Sequence, residues 1–271
     1  MLDAYYGSRL TKAVLWIFSA LILIFLMLPT LIVVPLSFSA SDLLEFPPRA
    51  WSLRWYEAFF SSAVWMAALR TSMLLGMLTA VIAVPVSFLA CFAINRLGRP
   101  SARAIYGFLL SPSVTPGILL AIGLFFILAK LGLVGTLTGV LVGHVVLAIP
   151  VAVIVLYPAI DRFDWAQAQA ARSLGAGWFR TMGGIILPQL GLSLATAALM
   201  AFLTSLDEAV ISIFVANGPS STLPKLMFMS LRDQIDPTIA AISTFWTVLV
   251  SVVLLFFNLR ERGSDAVKDN S

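Results

Sequence analysis

The sequence predicts an all-α fold, a polytopic membrane protein with six transmembrane helices, on three observations. Of 271 residues, 60% are hydrophobic and only 11% charged, with a mean hydropathy of +1.00. Soluble domains average about 45–50% apolar and about 25% charged residues, so a water-soluble globular enzyme and ordinary disorder are both excluded. Six stretches free of Asp, Glu, Lys and Arg run over 13–41, 71–95, 104–129, 131–160, 181–206 and 237–259. Each exceeds the roughly 18 uncharged residues that make a spanning helix the first reading. Finally, the single cysteine, Cys91, sits inside an apolar run, which excludes a disulfide framework and a zinc cluster.

Taken in order, the first stretch follows Arg9 and Lys12 and ends near the small residues Ser37–Ala40, the outline of a cleavable signal. A signal's apolar core is about 7–15 residues and this one is about twice that, so it reads as a retained span. The loop 42–69 carries Pro47-Pro48, an amphipathic run from Leu53 to Phe60, and Trp51, Trp55 and Trp65 as an interface belt. Within the third stretch, Ser111-Pro112-Ser113-Val114-Thr115-Pro116-Gly117 is the candidate for a broken helix. A tight turn is expected at 132–136. The loop 161–180 is long and mixes apolar with charged residues, and a shorter stretch, 209–224, is interrupted at Asn217-Gly218-Pro219 and reads as a loop or partly re-entrant segment.

Six spans put both termini on one side. With that side cytoplasmic, the inner segments hold Arg9, Lys12, Arg96, Arg99, Arg103, Arg162, Arg172, Arg180, Arg260, Arg262 and Lys268. The outer ones hold only Arg49, Arg54, Arg70, Lys130, Lys225 and Arg232. Eleven of the 17 basic residues therefore lie inside, as the positive-inside rule requires. This assigns 1–12 and 260–271 to the cytoplasm and 13–259 to the membrane domain. The net charge of +4 is too small and too scattered to suggest a nucleic-acid partner.

Enzyme chemistry has no foothold. No G-x-x-x-x-G-K-[ST] loop occurs, so ATP is not bound by that device. One histidine cannot make a His-x-x-x-His metal pair, and no Ser–His–Asp set is suggested by position. His144, mid-span, reads either as a packing group donating to a carbonyl on a neighbouring helix or as a place along a permeation path.

The loop 161–180 has physical logic of its own. Asp161 to Leu174 consists mostly of helix formers with acids in the first turn. Gly175 and Gly177 are expected to stop that helix, and Trp178–Ile186 to restart one before Pro188. The expectation is a short helix, a bend and a second short helix. Trp165, Leu174, Trp178 and Phe179 would give it apolar contact area, for a partner protein or equally for the headgroup layer.

Here the residues carry a resemblance. Gln169-Ala170-Ala171, then Gly175, then nine residues, then Ile185-x-Leu187-Pro188 resembles the E-A-A-x-x-x-G-x₉-I-x-L-P loop of permease subunits of binding-protein-dependent ABC importers. The spacing matches throughout, with Gln169 in place of the motif's glutamate. The resemblance implies a type I ABC importer permease fold in a bacterial inner membrane, with Gln169, Ala170, Ala171, Gly175, Ile185, Leu187 and Pro188 forming an ATPase-coupling loop. It implies as partners an ATP-binding subunit dimer, a second homologous permease and a periplasmic substrate-binding protein. ATP and Mg would be bound by the ATPase subunits, with no cofactor or metal on this chain.

Ser52-Leu53-Arg54-Trp55-Tyr56, Gly135-Thr136 running on to Gly143-His144, and Thr204-Ser205-Leu206-Asp207-Glu208-Ala209-Val210 followed by Thr222-Leu223-Pro224 are similar to the spermidine/putrescine C-type permease branch. Related branches moving ferric iron, sulfate or aminoethylphosphonate share the scaffold. The residues Asp207, Glu208 and His144 are the candidates for a substrate path. Two adjacent acids at the end of a span need a partner or a wet cavity, because a mid-membrane carboxylate costs about 2.5–3.5 kcal/mol on the insertion scale. Cationic substrate would satisfy them. So would a structural role, capping the break near Asn217-Gly218-Pro219 or pairing with Lys225 or Arg232. A self-driven secondary transporter using Asp207, Glu208 and His144 as a relay is the reading from a different class.

Overall fold

The computed structural model describes residues 9–233 and 236–268, and the elements among them are helical. Of the segments read as cytoplasmic, 1–8 and 269–271 lie outside the described residues, as do the side chains of Arg9, Arg260, Arg262 and Lys268. In chain order the helices are α1 (Arg9–Ser37), α2 (Arg54–Ser61), α3 (Ala63–Arg96), α4 (Arg99–Val114), α5 (Gly117–Lys130), α6 (Leu137–Asp161) and α7 (Trp165–Ser173). Then come α8 (Trp178–Thr181), a π-helical turn (Met182–Ile186), α9 (Leu187–Gln189), α10 (Gly191–Leu206) and α11 (Val210–Val215). A 3₁₀ turn (Gly218–Ser220), α12 (Leu223–Asp233) and α13 (Thr238–Lys268) complete them.

Three of these helices are long and apolar enough to cross a membrane, and five spans result when the α4–α5 pair and the bent pair 178–189 and 191–206 each count once. With the apolar start of α13, Thr238–Val252, this is consistent with six. The broken helix expected near Pro116 is present: α4 and α5 meet at 102°. Proline cannot donate a backbone hydrogen bond and forces the residue before it out of helical geometry. Thr115 and Pro116 are accordingly both extended. The uncharged stretch 131–160 opens not as helix but as the tight turn, with Gly132 and Gly135 at φ +69° and +80°. Likewise the loop expected over 42–69 is shorter, because α3 starts at Ala63 and takes in its last residues.

The chain divides into two units, 1–63 with 230–271, and 64–229. In the first, α1 packs along α13 and α2 packs on α13. Phe60 meets Phe245 edge-on at 5.7 Å, and Phe59 is fully buried. The segment before α2 is stapled: Arg54 pairs with Asp42, donates to the carbonyl of Ala40 at 2.8 Å and lies 4.3 Å over the Trp55 ring. Tyr56 shares a hydrogen bond with Ser37 at 2.8 Å.

In the second unit α6 is the central element, flanked by α10, α4, α11 and α5. Buried alanines, Ala148 and Ala152 on α6 and Ala197 and Ala201 on α10, let these two backbones approach, as apolar surroundings favour. Cys91 is buried in the same core with Leu156 and Ile160. A second core, around Leu75, Ala121, Val140, Ile211 and Val215, seats the short helix α11.

Candidate functional site

Two constellations stand where the sequence singled residues out. The first is the loop 161–180. Its opening differs from the expectation of one helix from Asp161 to Leu174. Asp161 closes α6, and α7 starts only at Trp165, capped by Asp164, whose carboxylate accepts from the Ala166 N–H at 3.1 Å. An aspartate at the N-cap satisfies an orphan amide, and the intervening turn at Arg162 and Phe163 breaks the two helices apart.

The far end of α7 is closed by two bonds. The Gly175 N–H donates to the carbonyl of Arg172 and the Ala176 N–H to that of Ala171, both at 3.0 Å, with Gly175 at φ +86°. This is the Schellman arrangement, in which glycine takes the left-handed position without a Cβ penalty. Gly177, expected to share that stopping role, instead sits at φ −66° as the residue before α8. Helix, glycine bend and second helix are therefore as the sequence predicted, with one glycine rather than two making the stop.

Beyond the bend, α8 passes into the π turn and then α9, which holds Pro188. A proline withholds the amide that the fourth residue back would use, and a widened turn is one way to accommodate it. Of the motif positions, Ile185 is half-buried and Leu187 and Pro188 are exposed, the buried side chain being Ile186 between them, and the backbone then bends by 72° into α10. Gln189 Nε2 donates to Gln167 Oε1 at 2.6 Å, joining the root of α10 to α7.

The loop also rests on α3 through rings. Phe92 meets Trp165 at 5.5 Å and Trp178 at 5.3 Å, while Phe163 stacks edge-on to Trp165 at 4.9 Å. At the tip the chemistry reverses: Leu174 is 90% exposed and Phe179 is 89% exposed. Gln169, Ala170 and Ala171 lie on α7 between these two ends, with Gln169 and Ala170 exposed.

The second constellation surrounds the break between α10 and α11. His144 is buried with both ring nitrogens occupied, Nδ1 at 2.6 Å from Ser205 Oγ and Nε2 at 3.1 Å from Ser212 Oγ. One serine lies on α10 and the other on α11, so the imidazole bridges the break at 207–209. Thr79 on α3 adds a donor to Ser205 at 3.4 Å, and Ser212 donates to the carbonyl of Glu208 at 3.2 Å. The ring thus meets hydroxyls rather than the carbonyl that its packing reading named. Gly143 gives the close approach, since a Cβ there would lie 2.6 Å from Ile211 Cγ2.

The acid pair divides. Glu208 Oε1 accepts from the Ile211 N–H at 2.6 Å and so caps the first turn of α11, whereas Asp207 ends α10 and is exposed. The cap is at α11, not at Asn217-Gly218-Pro219, where Asn217 and Ser220 cap each other. Among the described residues no ion pair joins Lys225 to an acid either; its Nζ donates to the carbonyl of Ala216 at 2.5 Å. Gly135 belongs to the same neighbourhood, its N–H donating to the carbonyl of Val215 at 2.8 Å and its carbonyl accepting from Ser220 at 3.1 Å. Ser205, Ser212 and Thr79 were missed by the sequence reading, because a hydroxyl in an apolar helix carries no mark of its partner.

Among the described residues, no group of three or more His, Cys, Asp or Glu could hold a metal ion. Residues 83–262 match the family model described as binding-protein-dependent transport system inner membrane component. The chain is 26% identical to the spermidine/putrescine transport system permease protein PotC of Haemophilus influenzae, covering 88% of this chain and 92% of that protein. It is 28% identical to the putrescine transport system permease protein PotI of Escherichia coli, covering 84% of each. In fold it is similar to a chain of a bacterial alginate ABC transporter solved with its alginate pentasaccharide-bound periplasmic protein, with a TM-score of 0.71, 17% identity, and 93% of this chain and 94% of that one covered. With two thirds of its length inside the family model, relatives aligned nearly end to end and the helical permease fold in common, the chain belongs to the family of binding-protein-dependent transport system inner membrane components, the permease subunits of ABC importers.

Proposed function

We propose that this chain forms half of the translocation path of an ATP-driven importer for polyamines of the putrescine and spermidine class. A second homologous permease supplies the other half, an ATP-binding subunit dimer binds and hydrolyses ATP with Mg, and a periplasmic binding protein delivers the substrate. The chain lies in a bacterial inner membrane with both termini cytoplasmic.

The observation that carries the transport mechanism is the loop 161–180, a capped helix, a glycine bend and a second helix with Leu174 and Phe179 bare at the tip. Two large apolar side chains held in water by a rigid turn favour burial in a partner. The ATPase dimer closes on ATP, the tip moves with it, and Phe92, Trp165 and the Gln167–Gln189 bond pass that motion to α3 and to the root of α10. The spans then expose the path to the other side of the membrane. Gln169, Ala170, Ala171, Gly175, Ile185, Leu187 and Pro188 shape this coupling loop.

Polyamine as substrate is supported by the names of the two relatives and by the acids at the break. Asp207 offers a carboxylate to an ammonium group, while Glu208 and His144 hold the break open around it. A fold alone does not choose a substrate. Another small solute, such as a phosphonate, ferric iron or an amino-acid-like or opine-like compound, is the alternative, and a self-driven secondary transporter a more distant one. The test is uptake of labelled putrescine and spermidine by cells expressing the chain with its genomic neighbours. ATP-dependent uptake competed only by polyamines, and lost in well-expressed Asp207→Asn, is the expected result. Copurified ATPase without polyamine uptake would discard the substrate and keep the importer; no copurified ATPase would discard the coupling loop.

A further inference from the structure

Beneath the loop 161–180 lies a cavity of about 300 Å³ whose lining includes Asn95 and Arg96 from the end of α3, Trp165, Gln169 and Arg172 from α7, and Thr181 from α8. The side chains that bring charge to it are two guanidiniums. No carboxylate belongs to the lining, and among the described residues no ion pair is formed by Arg96 or Arg172. Asp161 accepts from the Asn95 amide at 3.4 Å and stands outside the lining. Arg96 is held by rings instead, 5.0 Å from the Phe92 centroid and 4.9 Å from that of Trp165. A guanidinium stacked on aromatic faces keeps its in-plane N–H donors free for an oxyanion.

Two guanidiniums on one acid-free cavity call for an anion with several acceptor oxygens. Arginine forks match phosphate oxygens two at a time. The cavity sits at the root of the loop, whereas the exposed tip residues Leu174 and Phe179 take no part in its lining. Arg96 directly follows the uncharged stretch 71–95, at the level where phospholipid headgroups begin.

We propose that this cavity is a phosphate-binding site, taking the phosphate of a membrane phospholipid headgroup or free phosphate. Gln169 is what keeps it open to a ligand. A carboxylate at that position, one turn before Arg172 on the same helix, would supply the missing anion from within. The inference goes beyond the transport reading and does not rest on it.

Native mass spectrometry of the full-length chain in detergent, titrated with phosphatidylglycerol and with diacylglycerol of the same chains, tests it directly. Retention of phosphatidylglycerol but not diacylglycerol is expected, weakened about tenfold or more in Arg96→Gln/Arg172→Gln. Gln169→Glu, which leaves both guanidiniums in place, is expected to weaken it comparably. Arg49→Gln, far along the sequence in an exposed ion pair with Glu45, serves as the charge control and should bind as the parent does. Failure of inorganic phosphate in large excess to displace the lipid assigns the site to the headgroup; displacement with the same dependence on Arg96 and Arg172 assigns it to free phosphate. Equal lipid retention in the parent, the double variant and Gln169→Glu overturns the proposal. So does arginine-dependent retention of the ATPase with lipid binding unchanged, which would give the cavity to a protein carboxylate.

Discussion

His144 and Ser205 share a hydrogen bond of 2.6 Å although 61 residues separate them, and the other imidazole nitrogen continues to Ser212 across the break that Asp207 and Glu208 occupy. One side chain thus fixes the relative position of two helix ends that are joined only by the three residues 207–209. In an apolar interior each hydroxyl left without its partner costs roughly 1–3 kcal/mol. His144→Leu is therefore expected to destabilise the chain by about 2–4 kcal/mol, and Ser205→Ala by less. Thermal unfolding of the detergent-solubilised protein measures both; a His144→Leu protein as stable as the parent would remove the bridge from the account.

Close approach of α6 to α11 gives a second expectation. Gly143→Ala drives a methyl group into Ile211 Cγ2, and overpacking of this kind typically costs about 1–3 kcal/mol. Shortening the neighbour in Gly143→Ala/Ile211→Val should recover part of the loss. A double-mutant cycle reads the coupling, and strictly additive effects would show that the helices simply move apart.

The two loop glycines separate cleanly. Gly175→Ala forces an alanine to φ +86° and is expected to cost on the order of 1 kcal/mol, with transport reduced. Gly177→Ala sits at φ −66° with open space around its Cβ position and should change neither. Parallel uptake and stability measurements on the two variants compare them, and an equal loss at both positions would contradict the Schellman assignment.

Leu174→Asp and Phe179→Asp probe the tip. Both side chains are almost wholly exposed, so stability should move by no more than about 0.5 kcal/mol. Copurification of the ATP-binding subunit should nevertheless be lost. Retained ATPase in both variants would show that the tip is not the docking point.

The acids are expected to fail differently. Glu208→Ala removes the cap of α11 and costs about 1 kcal/mol, whereas Glu208→Gln keeps an acceptor oxygen and most of the stability. Asp207→Asn leaves stability unchanged and lowers polyamine uptake. Thermal shift alongside uptake separates the pair, and identical behaviour of the two acids would undo the division of roles.

Much of this architecture is legible in the sequence. Runs without charge located the spans because an ionised side chain is costly in lipid, and Pro116 marked a break because it lacks an amide. The angle at that break was not legible; proline ends a hydrogen-bond ladder but does not say where the next helix goes. Gly175 was found as a stop because its requirement is local, and Gly177 was misassigned because its neighbours, not its own sequence, set its φ. Asp161 looked like the start of a helix and is the end of another, since an acid is acceptable at either place when a turn intervenes. The partners of His144 were hidden for a different reason: serines 61 and 68 residues away leave no periodic trace.

The π turn over Met182–Ile186 amounts to one surplus residue wound into the root of α10. An α-helix advances about 100° per residue, so such an insertion rotates everything before it by that angle about the helix axis. The direction in which Leu174 and Phe179 face is therefore a matter of helical phase. Removing Gly184 alone would take out the surplus residue and turn the tip away from whatever it now meets. Alignment at this turn, more than the identity of any tip residue, sets which surface the permease offers.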